Sequence, residues 1–181
     1  MKKRGVVVFQ TRDKDEFLSL EQRVEVARSE NADLFISIHA NIASSPRAEG
    51  FEAYYLGFLG QGDKEEICCL EKHKKMFRKY NMKQDNENIQ KVLLDMLHTH
   101  KQQSSDDIAR YLAQYTAKRI ETRDRGGKTA NFYVLKNTLI PAVLVEVGFL
   151  SSKKEEQKLK DSSYRQQIAE SLADGLAHYA Q

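Results

Sequence analysis

Along the chain the apolar positions follow two rhythms, short unbroken runs and stripes recurring every three or four residues, and together these predict alternating strands and helices. Val6-Val7-Val8-Phe9, bounded by glycine and by charge, predicts a buried strand over Gly5 to Thr11. Ser19 followed three residues later by Gln22 is a capping-box signature, and Leu20, Val24 and Ala27 then share one helical face up to about Glu30. Leu34-Phe35-Ile36-Ser37-Ile38 predicts the next strand, over Asp33 to His39, apolar enough to be buried on both faces. Strand, helix and strand would compose a βαβ unit.

After a polar loop with Ser44, Ser45 and Pro46, the aromatic run Gly50 to Leu56 predicts a further strand, which Gly57, Gly60 and Gly62 interrupt. Residues from about Asp63 to Tyr80 and from about Asn86 to His100 predict two helices, the second striped by Ile89, Val92, Leu93, Met96 and Leu97, and the pair suggests a helical insertion at about 60–101. Ser104-Ser105 predicts the cap of a separate helix to about Glu121, and Arg125-Gly126-Gly127 its end. Phe132 to Leu135 and Ala142 to Val147 predict the last two strands, and Tyr164, Ile168, Leu172, Leu176 and Tyr179 the core face of a closing helix. The alternation implies an α/β single domain with a mainly parallel twisted sheet flanked by helices. Sheets of that kind bind ligands beyond the carboxyl ends of their strands.

Composition narrows the picture. The 181 residues fit one domain, and 40% hydrophobic with only 2 prolines and 9 glycines excludes a disordered chain. The net charge of +3 arises from 29 basic and 26 acidic residues mixed along the length, so a nucleic-acid partner is not expected. The Lys72-His73-Lys74-Lys75 run reads as a solvated helix face. Cys68 and Cys69 are adjacent in a predicted helix, where neighbouring side chains diverge, and carry no redox reading. No apolar run approaches the roughly 20 residues of a transmembrane segment. The stretch after Met1-Lys2-Lys3-Arg4 is too short for a signal peptide, so no export signal is expected in this chain.

Two residues stand out as candidate chemistry. His39 ends a buried apolar strand, which sets an imidazole where open α/β sheets place their sites; the alternative is a satisfied histidine capping a strand. Glu146 lies inside Ala142-Val143-Leu144-Val145-Glu146-Val147, where an unpaired carboxylate costs several kcal/mol. Such a residue has either a structural ion pair or a task, and in a partly dry cleft its pKa would rise toward the range of a general base.

Thr11-Arg12 with Asp15, Leu20 and Arg23, then Ala32 to Asn41 (ADLFISIHAN), Gly50-Phe51-Glu52 with Tyr54-Tyr55, Ala130 to Leu135 (ANFYVL) and Pro141 to Ser151 (PAVLVEVGFLS) succeed one another in the order of the motif blocks of the zinc-dependent N-acetylmuramoyl-L-alanine amidases. The chain resembles the catalytic domain of that family, in its division-type cell-wall members, from about Gly5 to its end and least between Gly57 and about Ser104. The resemblance implies a peptidoglycan hydrolase that cleaves the amide between N-acetylmuramic acid and the L-alanine of the stem peptide, with zinc polarising a water or the carbonyl. It implies His39 as a metal ligand and Glu146 as the catalytic glutamate and general base.

In the family a Gly-His-Gly-Gly-like strand and a helix with a glutamate ligand precede the segment that starts here. The expectation is thus an N-terminally truncated amidase, lacking the first strand and helix of the family fold and the other metal ligands. It would be a fragment or late-start form of a longer, exported protein of the periplasm or cell envelope. Thr11, Arg12, Arg23 and Asn41 match family positions, and the expected roles are packing, strand-end hydrogen bonds and orienting the loop around His39. The insertion stands where some division-type members of the family carry a helix that covers the zinc site until an activator protein displaces it, with Glu65, Glu66, Glu71 or Glu87 the candidate plug residues; a helical pair packed on the domain is the equally consistent alternative. The alternative reading is a catalytically inactive amidase-like domain that binds peptidoglycan or an activator protein.

Overall fold

A computed structural model of the chain describes residues 6–57 and 87–180, and in the helix that begins at Glu87 the side chains from 92 onward except that of residue 94. The helix predicted over Asp63 to Tyr80, Cys68, Cys69, the lysine-rich run, Glu65, Glu66, Glu71 and the side chain of Glu87 lie outside the described residues.

The element order is α1 (Leu20–Ser29), β1 (Phe35–Asn41), β2 (Phe51–Tyr55), α2 (Glu87–Arg119), β3 (Asp124–Thr129), α3 (Tyr133–Asn137), β4 (Ala142–Phe149), α4 (Lys153–Lys160) and α5 (Ser162–Tyr179). The four strands form one sheet in the order β1-β4-β2-β3. Strands β1 and β4 pair in parallel, as do β2 and β3, while β2 and β4 at the centre run antiparallel. The α/β class predicted from the sequence is the observed one, and the sheet is mixed, with two of its three pairings parallel and the central one antiparallel.

The two faces of the sheet bury different sets of side chains, as the period-two alternation of a strand requires. Phe51, Ala53, Val143, Val145 and Val147 pack with Ile108, Leu112 and Ala113 of α2 and with Ile168, Leu172 and Leu176 of α5. On the opposite face Phe35, Ala142, Leu144 and Leu56 pack with Val24 and Ala27 of α1 and Val134 and Leu135 of α3. The second core covers only the lower end of its face, and the upper end carries polar residues.

Local sequence explains α1. Ser19 accepts from the Gln22 amide while Gln22 Oε1 accepts from the Ser19 amide, the predicted capping box. Gly50 has φ +115, and a Cβ there would run into the carbonyl oxygen of Arg123, so only glycine allows β2 to begin where it does.

Four expectations fail, each for a physical reason. Val6 to Gln10 form no strand: no described strand pairs with them, and Val7 is 76% exposed. The βαβ unit predicted at the start of the chain is therefore not formed. No helix begins at Ser104; α2 runs through it, and Ser105 Oγ donates to the Lys101 carbonyl and accepts from the Ala142 amide, joining helix to sheet. The strand expected at Phe132 to Leu135 is the short helix α3, in which the amides of Leu135 and Lys136 both donate to the Phe132 carbonyl. Its C-terminal carbonyls are held by the buried Lys101 ammonium, which donates to Leu135 O (2.6 Å) and Thr138 O. The Arg125-Gly126-Gly127 stretch, expected to be a break, lies within strand β3.

Candidate active site

Strand register builds the site. In the parallel pairing of β1 with β4, His39 stands opposite Glu146, and in the antiparallel pairing of β2 with β4, Glu52 stands opposite the same Glu146. Residues opposite one another on neighbouring strands project from the same face. His39, Glu146 and Glu52 thus form one row across three strands, on the face of Phe35, Leu144 and Leu56 and beyond the end of the apolar core. The row lies toward the carboxyl ends of β1 and β4, where the sequence placed the two candidates. The geometry brings His39 and Glu146 together, and adds Glu52.

Glu52 is the most tightly held of the three, 1% exposed. Its Oε1 accepts from Asn41 Nδ2 (2.8 Å) and the Tyr54 hydroxyl (2.7 Å), and its Oε2 from Arg125 Nε (2.7 Å) and Lys128 Nζ. Burial works against its ionisation, but Lys128, Arg125 and Tyr54 together outweigh that and hold its pKa down to about 2. Glu52 is therefore a fixed negative charge. The Tyr54 hydroxyl is pushed far up by burial and by the Glu52 and Glu146 carboxylates, so it stays protonated and donates.

Glu146 is held in the opposite way. Its Oε2 is buried without a hydrogen-bond partner among the described residues. Burial first, and the Glu52 charge second, raise its pKa to about 7. Two carboxylates on adjacent strands thus have pKa values driven apart by their surroundings, the pattern that separates an acid/base group from a structural one. His39 is exposed, but desolvation against the sheet, then the charges of Arg23 and Arg12, lower its pKa. The shift favours the neutral imidazole, the form that binds a metal through a ring nitrogen.

The residues around the row are placed by short hydrogen bonds. Arg12 Nη1 donates to the Glu16 carbonyl at 2.6 Å and Arg23 Nε to the Leu18 carbonyl at 3.2 Å, holding the loop before α1 beside His39. Asn41 both donates to Glu52 and accepts from the Ile42 amide at 2.7 Å. Behind the site, Glu155 of α4 accepts from the amides of Gly50 (2.9 Å) and Phe149 (2.8 Å), fastening the start of β2 to the end of β4.

The reasoning applied to Glu146 in the sequence also fits Glu52, an acid inside the aromatic run Phe51 to Tyr55, and could have singled it out. Arg125 and Lys128 carried no such signal, because β3 has no apolar pattern.

Among the described residues no group of three or more His, Cys, Asp or Glu side chains could hold a metal ion. A catalytic zinc takes three protein ligands. His39 offers one imidazole donor, so the described residues do not by themselves fit the ion.

The chain belongs to the N-acetylmuramoyl-L-alanine amidase family (Amidase_3), whose profile matches residues 1–178. Among its relatives are AmiA of Escherichia coli K12, 29% identical over 181 residues, and AmiC of Neisseria meningitidis, 32% identical over 176. The matches cover 99% and 97% of this chain but 63% and 42% of those proteins, so the chain spans less than two thirds of their length. Among solved structures, the catalytic domain of CwlV, an amidase of Bacillus (Paenibacillus) polymyxa var. colistinus, is 31% identical with a TM-score of 0.65, covering 94% of this chain and 70% of that one. AmiC2 of Nostoc punctiforme is 27% identical with a TM-score of 0.72, covering 99% and 76%.

Proposed function

We propose that this chain is the Glu146-bearing part of a peptidoglycan hydrolase that cuts the amide between N-acetylmuramic acid and the L-alanine of the stem peptide. The observation that carries the reading is the cross-strand row, in which a carboxyl with an oxygen unpartnered among the described residues and a pKa of about 7 stands beside an imidazole whose neutral form is favoured.

At neutral pH such a carboxyl divides between its two forms and can serve as base and then as acid. As a carboxylate, Glu146 takes a proton from water while the water oxygen bonds to the lactyl carbonyl carbon. The carbon–nitrogen bond then breaks, and Glu146 returns the proton to the departing L-alanine amine. The products are a lactyl carboxylate and a free stem peptide. Glu52, already saturated by four donors, does not compete for the proton and keeps Glu146 from ionising early.

His39 is read as one ligand of a zinc ion, whose further ligands would have to come from outside the described residues. No step above is routed through that ion. The same reading places the protein in the periplasm or cell envelope and treats residues from about 60 to 101, with Glu65, Glu66, Glu71 and Glu87, as a cover that an activator protein displaces.

The test is digestion of purified muropeptides with the products resolved by mass. Wild type is expected to release intact stem peptides with a free L-alanine amine and Glu146→Gln to release none. Undigested muropeptides, or equal release by both proteins, would remove the proposal.

A further inference from the structure

Strand β3, next to β2 at the sheet edge, presents two cations on the face of the catalytic row. Arg125 Nε and Lys128 Nζ both bond the same oxygen of Glu52, whose other oxygen already accepts from Asn41 and Tyr54. One cation suffices to balance Glu52, so the cluster carries a positive charge in excess. Neither side chain is buried, at 29% and 36% exposed. Arg125 Nη1 reaches the Glu49 carbonyl only at 3.5 Å, and no described residue accepts from Nη2.

The pair is also pre-set. The guanidinium carbon of Arg125 lies 5.0 Å over the centroid of the Phe149 ring, and Lys128 Nζ lies 5.8 Å over that of Tyr54. Cations held by a buried carboxylate and an aromatic face lose little freedom when a ligand arrives. A guanidinium edge with an ammonium beside it matches the oxygens of a carboxylate.

Distance selects what that carboxylate belongs to. Neighbouring strands are about 4.8 Å apart, so the backbone of β3 lies roughly 10 Å across the face from Glu146 on β4, while the charged ends of Arg125 and Lys128 meet Glu52 on β2, one spacing from Glu146. An extended peptide advances about 3.3–3.6 Å per residue, so roughly two to three residues bridge a span between those two limits. We propose that Arg125 and Lys128 form a carboxylate-binding subsite for the peptide side of the substrate, recognising an acidic residue two to three positions beyond the amide under attack. The inference rests on the amidase reading of the row, since it takes Glu146 as the point from which the peptide extends.

The experiment measures binding, not turnover. Two tripeptides, L-Ala-γ-D-Glu-L-Lys and the same peptide with the glutamate α-carboxylate amidated, are titrated into the whole chain by calorimetry at low salt. Wild type is expected to bind the free acid at least tenfold more tightly, with the preference shrinking as salt is added. Arg125→Gln and Lys128→Gln, each checked for an unchanged circular dichroism spectrum, are expected to bring the two peptides together. Equal affinities in wild type, no binding of either peptide, or a preference that survives both substitutions would each overturn the subsite. The wild-type comparison stands even if neither variant folds. A retained preference alongside intact muropeptides would sink the hydrolase reading and leave the subsite in place.

Discussion

Glutamine at position 146 keeps the shape of the glutamate and removes its titration, which makes it a direct probe of the buried carboxyl. Burial, with Glu52 second, lifts that carboxyl from its ordinary 4.5 to about 7. Below pH 4.5 the group is protonated in folded and unfolded chains alike and its shift has no effect. As pH climbs from 4.5 to about 7 the unfolded chain gives up the proton first, so folding loses stability across that window, and the loss stays constant above it. At about 1.4 kcal/mol per pH unit the interval amounts to about 3 kcal/mol. Water screens the open side of the site and reduces the effect to about 1–2 kcal/mol. Glu52, held at about 2, has the opposite sign, stabilising above its unfolded value and losing that contribution as pH falls toward 2. It is present in both proteins and cancels in the difference. Urea unfolding of wild type and Glu146→Gln, metal-free, from pH 4 to 8 should therefore give curves that diverge with pH, the variant gaining about 1–2 kcal/mol at pH 8 relative to pH 4. A stability difference independent of pH, or one that moves in favour of wild type toward pH 8, would refute the argument that Glu146 is buried without compensation.

Three other substitutions probe the frame around the site. Gly50→Ala places a Cβ against the Arg123 carbonyl at a positive φ and should destabilise the chain by about 1–3 kcal/mol in urea melts. Ser19→Ala removes half of the capping box and should cost about 1 kcal/mol by the same measurement, with no change in peptide binding. Lys101 is held down to about 7 by burial, so the folded chain disfavours its charged form and stability should rise with pH from about 7 to about 10.5. Lys101→Met should abolish that rise while loosening the carboxyl end of α3, seen as faster amide exchange at Asn137 to Leu139.

The legible parts of the fold were those whose local pattern agrees with their surroundings. The apolar run of β4, the aromatic run of β2 and the middle of the α5 stripe appear where their side chains are buried, and the capping box of α1 forms; β1 appears where its run predicts but is not buried on both faces as expected, Phe35 being buried and Ile38 62% exposed. Strand β3 was illegible because Asp124 to Thr129 holds two glycines and three charged residues; its pairing with β2 and the Glu52 bonds to Arg125 and Lys128 hold it there. Gly127 has a further reason, since a Cβ there would press on Arg110 of α2. Phe132 to Leu135 has strand-forming residues yet turns as a helix, because Lys101 satisfies the carbonyls at its end. Helix α4 has no apolar stripe, and its anchor is the buried acid Glu155. Of the site, His39 and Glu146 were visible as a polar residue at the end of an apolar run and one inside it. Their shared row was not visible, because register is a property of paired strands.

That register has a consequence for how the protein comes into being. Strand β4 is the wedge between β1 and β2, and it pairs with segments made roughly a hundred residues earlier, a separation that closes slowly. A ribosome that has released β1 and β2 has released two strands whose backbones pair not with each other but with a third not yet synthesised. Until β4 emerges, His39 and Glu52 lack the strand that stands between them, and cleavage anywhere between His39 and β4 would put the imidazole and Glu146 on separate pieces of chain.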